Sequence, residues 1–197
     1  MEFSPLLLGT AFALVLPAEL PDKTMVATLL LATRYRPGPV LLGVSAAFAV
    51  QCLIAVAFGS VLTLLPDRAV ALVACLMFAA GAVLLLRHSA GDEPGPDLAE
   101  ASAPAPWWRI GALSFGVLFA AEWGDASQFA TAALTACYGD PLSVGLGAWL
   151  ALLTVATLAV GVGKGFALRL PIRWLSRIAG VVFACFAVLA AVAAVVG

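Results

Sequence analysis

Four carboxylates, Glu19, Asp22, Glu122 and Asp125, interrupt stretches of this sequence that are otherwise apolar. Placing a charge at a bilayer midplane costs about 2.5 to 3.5 kcal/mol on insertion scales, so acids in such positions are expected to serve a function. They come as two pairs at spacing i, i+3, which predicts that Glu19 with Asp22, and Glu122 with Asp125, share one helix face and converge on a common object. Thr24, Ser127 and Gln128 add neutral oxygens close by, and Gln51 places a further polar group in the next apolar stretch. Lys23 is the one base within the cluster, leaving a formal charge of about −3. The oxygens are hard, and neither imidazole nor thiolate accompanies them, so the chemistry expected is capture of a divalent cation such as manganese, calcium or magnesium. Magnesium gives up its water reluctantly, which favours the other two in a largely dehydrated site. Crowded carboxylates without an ion repel one another and take up protons, so protons are the natural counter-substrate. The reading is exchange of a divalent cation, manganese(II) or calcium, for protons. No resident cofactor and no enzymatic step are implied.

The two acid pairs belong to a longer repetition. Glu19-Leu20-Pro21-Asp22-Lys23-Thr24, followed by Ala27-Thr28 and Tyr35, matches Glu122-Trp123-Gly124-Asp125-Ala126-Ser127, followed by Ala130-Thr131 and Tyr138, at a constant separation of 103 positions (Glu19 to Glu122). Pro66-Asp67-Arg68 is echoed by Pro171-Ile172-Arg173 at a separation of 105, so the duplication extends through both halves. Pro17 and Pro21 cannot donate main-chain hydrogen bonds, which frees the carbonyls of Ala13 and Pro17. Gly124 gives the second copy comparable freedom. Helices broken near the midplane, with freed carbonyls lining a cavity, are a means of holding ions in transporters.

The elements that must carry these residues are membrane helices. The chain has 63% hydrophobic and 11% charged residues and a mean hydropathy of +1.10, which excludes an ordinary water-soluble domain. Ten basic and eleven acidic residues nearly cancel, so there is no basic field for nucleic acid. The apolar stretches predict an all-α polytopic membrane protein of six transmembrane helices, at about 4–33, 39–65, 69–87, 108–138, 142–164 and 172–196. Residues 1–88 form a first three-helix repeat and 107–197 a second. Because each holds an odd number of spans, the two insert with opposite orientation, as two inverted repeats. Between them, 89–106 carries Asp92, Glu93, Asp97 and Glu100 with four prolines and reads as an acidic, proline-rich linker.

Arg34, Arg36, Arg87, Arg109, Arg169, Arg173 and Arg177 gather on one side and only Arg68 on the other, which makes the linker cytoplasmic and puts both termini outside. Trp107, Trp108 and Trp174 accompany these arginines as interfacial anchors. Lys164 reads as a snorkelling anchor. Cys52, Cys75, Cys137 and Cys185 are scattered singly and read as packing residues, and His88 as an interfacial one. With no cleavable leader, a bacterial inner membrane is the expected location.

At the acid pairs the sequence resembles the Gdt-type cation/proton exchangers, whose signature is Glu-x-Gly-Asp-(Lys/Arg)-(Ser/Thr), one copy in each half. The family includes Golgi manganese and calcium transporters and bacterial manganese exporters. The resemblance implies that Glu19, Asp22, Glu122 and Asp125 are the metal-binding acids and that manganese(II) is expelled from the cytoplasm. Pro21 stands where the first copy should have Gly, Ala126 where the second should have a base, and Met25 where a Gln would parallel Gln128. A small inverted-repeat amino-acid exporter is the alternative, although only Lys23 is available to hold a substrate carboxylate. An intramembrane aspartyl protease fits less well, because Glu122 occupies the place of a signature glycine and Lys23 would keep Asp22 ionised.

Overall fold

The computed structural model describes residues 3–20, 23–88, 106–162 and 172–196. Eight helices make up these residues: α1 (Pro5–Glu19), α2 (Lys23–Arg34), α3 (Pro37–Leu62), α4 (Asp67–His88), α5 (Trp107–Ala121), α6 (Ala126–Tyr138), α7 (Pro141–Val162) and α8 (Ile172–Val196). Proline marks several starts, since its missing N–H costs nothing in a first turn. Pro5 follows the Ser4 cap, whose hydroxyl accepts from Leu7 N at 3.4 Å. Pro141 follows Asp140, whose Oδ1 accepts from Ser143 N at 3.0 Å. The preceding helix, α6, ends on Gly139 in the left-handed conformation, φ 64°.

Among the described residues four helices, α3, α4, α7 and α8, are long and apolar enough to cross a membrane. Leu42, Leu53, Leu76 and Leu189, each about two-thirds exposed, turn outward from α3, α4 and α8, the surface that a hydrocarbon solvent selects. This is a helical membrane protein. The expected spans 4–33 and 108–138 are not continuous helices. α1 and α2 are long and apolar enough to span only when taken together, with their axes bent by 72°. α5, with 15 residues, rises about 22 Å and falls short of a hydrocarbon core by itself. The bend follows Glu19 rather than Pro17, which sits inside α1 without ending it.

Packing between the halves is exchanged. α1 lies on α7 as α5 lies on α3, α6 touches α3 as α2 touches α7, and α4 and α8 pair with each other. Association in lipid depends on close van der Waals fit, which favours small residues at crossings. A Cβ on Gly43 of α3 would strike the Gly111 carbonyl of α5, and one on Gly147 of α7 would strike the Leu8 carbonyl of α1. Trp149 Nε1 donates to the Ser45 carbonyl at 3.2 Å and ties α7 to α3. The rings of Phe78 and Phe183 meet edge to face at 6.0 Å between α4 and α8. Of the four cysteines only Cys52 is buried and Cys75 partly so; Cys137 and Cys185 are exposed, so the packing role expected for all four fails for these two. Trp107 and Trp108 are exposed as anchors would be. Asp22, Lys164, Arg169 and the linker through residue 105 lie outside the described residues, as does the side chain of Lys23.

Candidate metal centre

The acids sit where helices stop. Glu19 is the last residue of α1, and the N–H of Leu20 behind it closes on the Leu16 carbonyl at 3.0 Å. Glu122 ends α5 with its N–H on the Leu118 carbonyl at 3.0 Å. Gly124 then takes φ 76°, a value L side chains rarely adopt, and Asp125 opens α6 without spending its carboxylate on a capping bond. Glu122 and Asp125 therefore do not share a helix face, as their spacing led one to expect. The break between α5 and α6 turns both inward, so it is the turn and not helical periodicity that gathers them.

Glu19, Glu122 and Asp125 are 1%, 1% and 5% exposed, and one carboxylate oxygen from each lies within 4.8 Å of the other two. Ligands on opposite sides of a calcium ion stand about 4.6 to 5.2 Å apart, from oxygen distances of 2.3 to 2.6 Å. These oxygens can therefore reach one such ion. Thr24, in the first turn of α2, links the halves. Its Oγ1 lies 3.0 Å from Glu19 Oε2 and also within hydrogen-bonding distance of Glu122 Oε1. The N-terminal turns of α2 and α6 both adjoin the carboxylates, where the helix dipole favours negative charge.

The supporting residues divide by role. Gln128 Oε1 accepts from Gly124 N at 3.0 Å and so holds the turn between Glu122 and Asp125. Gln51 Nε2 donates to the Phe119 carbonyl at 2.8 Å and anchors the last turn of α5 to α3. Ser127, 5% exposed, follows Asp125 in the first turn of α6. Thr131 was not singled out as a site residue, but it lines a small cavity with Gln51, Ser127 and Gln128. Its match to Thr28 in the repeated segment was the signal that could have found it. Cys52 lines the same cavity.

A family model described as the divalent cation/proton antiporter GDT1 matches residues 7–93 and 111–196. The GDT1-like protein sll0615 of Synechocystis sp. is 33% identical over 189 residues, covering 89% of this chain and 91% of the relative. A Vibrio cholerae protein whose name marks it as a candidate manganese exporter is 32% identical over 181 residues, covering 89% of this chain and 86% of that one. The chloroplastic PAM71 homologue of Arabidopsis thaliana is 30% identical over 204 residues, but this chain spans only 56% of its length. No solved structure matches the chain.

Proposed function

The chain belongs to the GDT1 family of divalent cation/proton antiporters, and from that premise we propose that it exports manganese(II) from a bacterial cytoplasm in exchange for protons. The metal is held by Glu19, Glu122 and Asp125 together with Asp22. The observation that carries this reading is the approach of three buried carboxylates from both halves to within 4.8 Å of one another. Manganese is preferred to calcium because a relative covering most of the chain is named for manganese export.

Proton coupling has its own support. A hydroxyl has a single hydrogen to donate, yet Thr24 Oγ1 faces two carboxyl oxygens, Glu19 Oε2 and Glu122 Oε1. Both contacts are satisfied when one of the two carboxyls carries a proton and donates it back to Thr24. A metal ion arriving at these oxygens displaces that proton.

The proposed architecture is six crossings, as two inverted three-helix repeats over 1–88 and 107–197, with the linker 89–106 in the cytoplasm and both termini outside. The reciprocal contacts of α1 with α7 and of α5 with α3 support it, as does the paired glycine crossing at Gly43 and Gly147. An impermeant thiol reagent tests the topology: a cysteine at Gly95 should react only from the cytoplasm, and one at Gly197 only from outside. Transport is tested in inverted vesicles loaded with acid buffer. Manganese should enter against its gradient and protons should leave, with calcium competing less well. Uphill manganese entry that survives collapse of the proton gradient, with no other energy source present, refutes the exchange.

A further inference from the structure

The two halves are not equally packed around the carboxylates. Gln51 and Ala55 of α3 face Gln128 and Ala132 of α6 across a seam that holds two small cavities. The first, about 10 Å³, is lined by polar groups from Gln51, Ser127, Gln128 and Thr131. The second, about 100 Å³, shares Ala55 and Gln128 with it and is otherwise apolar, lined by Ile54, Phe58, Met77, Phe129 and Ala132. Gln128 Nε2 is buried and has no hydrogen-bond partner among the described residues, although a buried amide N–H ordinarily finds one. The first cavity is about one water in size, and the second is several times larger.

The repeat locates the counterpart of this seam. α2 relates to α6 by the 103-residue separation already seen in the acid motif, and α3 to α7 by 104, since both open on a proline (Pro37 and Pro141) and both cross their neighbour at a glycine (Gly43 and Gly147). Gln128 and Ala132 thus correspond to Met25 and Leu29, while Gln51 and Ala55 correspond to Val155 and Ala159. Those four counterparts form a closed apolar cluster, all 8% exposed or less, with Leu16 and Leu20 packed against it. Among the described residues, one seam holds a buried amide and two cavities, and its twin is wholly apolar.

Resting on the antiport reading above, we infer that the α3–α6 seam is the ion route on the outer side of the site, and that Met25, Leu29, Val155 and Ala159 form the closed gate on the cytoplasmic side. Both seams run from the carboxylates toward the C-terminal ends of their helices. In the proposed orientation those of α3 and α6 are outside and those of α2 and α7 are cytoplasmic. A hydrophobic constriction excludes a hydrated ion by staying dry. Met25 is the decisive residue, because it puts a thioether where the other half has the Gln128 amide.

The test compares cysteines at the equivalent positions Leu29 and Ala132, in protein whose four native cysteines are replaced, using a small impermeant methanethiosulfonate reagent applied from either side. No metal and no gradient are present, so a failure of manganese transport leaves this result intact and bears only on the substrate. Ala132→Cys should react from the outside, and Leu29→Cys should be protected from both sides. Adding Met25→Gln places an amide in the apolar cluster and should speed labelling of Leu29→Cys from the cytoplasm by about 5- to 150-fold. Met25→Leu, which keeps the plug apolar, should leave it protected and reports on folding. Equal labelling at the two positions, or no gain with Met25→Gln in protein that still elutes as a single species, overturns the inference.

Discussion

Replacing Glu122 by Gln tests the metal centre most directly, because the amide keeps the shape of the side chain and loses only its charge. Three carboxylate oxygens lie within 4.8 Å of one another, a distance at which two unit charges repel by about 3.5 kcal/mol at an effective dielectric of 20. With all three ionised, Glu122→Gln removes two of three such repulsions, about 7 kcal/mol, from the metal-free site. The bound ion loses more. A divalent charge at coordination distance attracts the carboxylate with twice the charge product at about half the separation, roughly four times the energy of one repulsion. Taking one member from a buried charge cluster has a net cost of about 3 to 5 kcal/mol, which corresponds to a loss of about two to three and a half decades in affinity. Calorimetry of manganese binding to the purified protein at pH 7, repeated in two buffers of different ionisation heat, reads both affinity and proton release. The unaltered protein should release protons as metal binds, and the variant should release about one fewer. A loss below fivefold with unchanged proton release would show that Glu122 is not a ligand and that the convergence of the acids is structural.

Asp125→Asn should weaken manganese binding more than Asp22→Asn, since Lys23 has no basic counterpart at Ala126 and an ammonium competes with metal for its neighbouring carboxylate; equal losses in calorimetry would refute that asymmetry. Asp140, between α6 and α7, is held below the ordinary carboxylate value of 3.8 first by the Ser143 hydroxyl and then by backbone N–H groups. Its contribution to stability is therefore complete well above pH 3.8 and is lost as pH falls through the depressed folded value. The melting temperature of Asp140→Asn should accordingly lie below that of the unaltered protein at pH 7, with the gap closing under strongly acid conditions; a gap constant with pH refutes the assignment. Gly43→Ala and Gly147→Ala should each destabilise by about 1 to 3 kcal/mol, the usual cost of overpacking, whereas Gly116→Ala, where a Cβ would meet nothing within 4 Å, should lack that steric penalty in thermal unfolding.

The sequence made the acids conspicuous because a carboxylate in an apolar run is costly wherever the run folds. The duplication then showed that two such places belong together. The local geometry was harder to read. Spacing i, i+3 implied one helix face for Glu122 and Asp125, yet Gly124 at φ 76° breaks the helix between them. Proline was legible as a loosening element, but Pro17 is accommodated within α1. Whether a proline kinks or ends a helix depends on the tertiary contacts available to the freed carbonyls. Thr24 was recognisable as a nearby oxygen; that it would face acids from both halves depends on α1 and α5 ending against the same turn of α2. Gln128 reads as an extra oxygen and Gln51 as a further polar group, whereas their hydrogen bonds hold backbone at Gly124 and at the end of α5.

Trp123 stands 61% exposed next to a glutamate that is 1% exposed, so the chain turns from interior to surroundings within one residue. Its indole ends an aromatic column on α5, 5.3 Å from the ring of Phe119, which stacks on Phe115 at 5.5 Å. The protein thereby carries a fluorophore bonded directly to its proposed ion site. With the other four tryptophans replaced by Phe, emission from Trp123 alone would track any rearrangement of the turn between α5 and α6 as an ion is captured, without an attached dye. Lipids brominated at successive carbons would quench that emission most strongly at its own depth, turning one side chain into a ruler for how far into the bilayer the site lies.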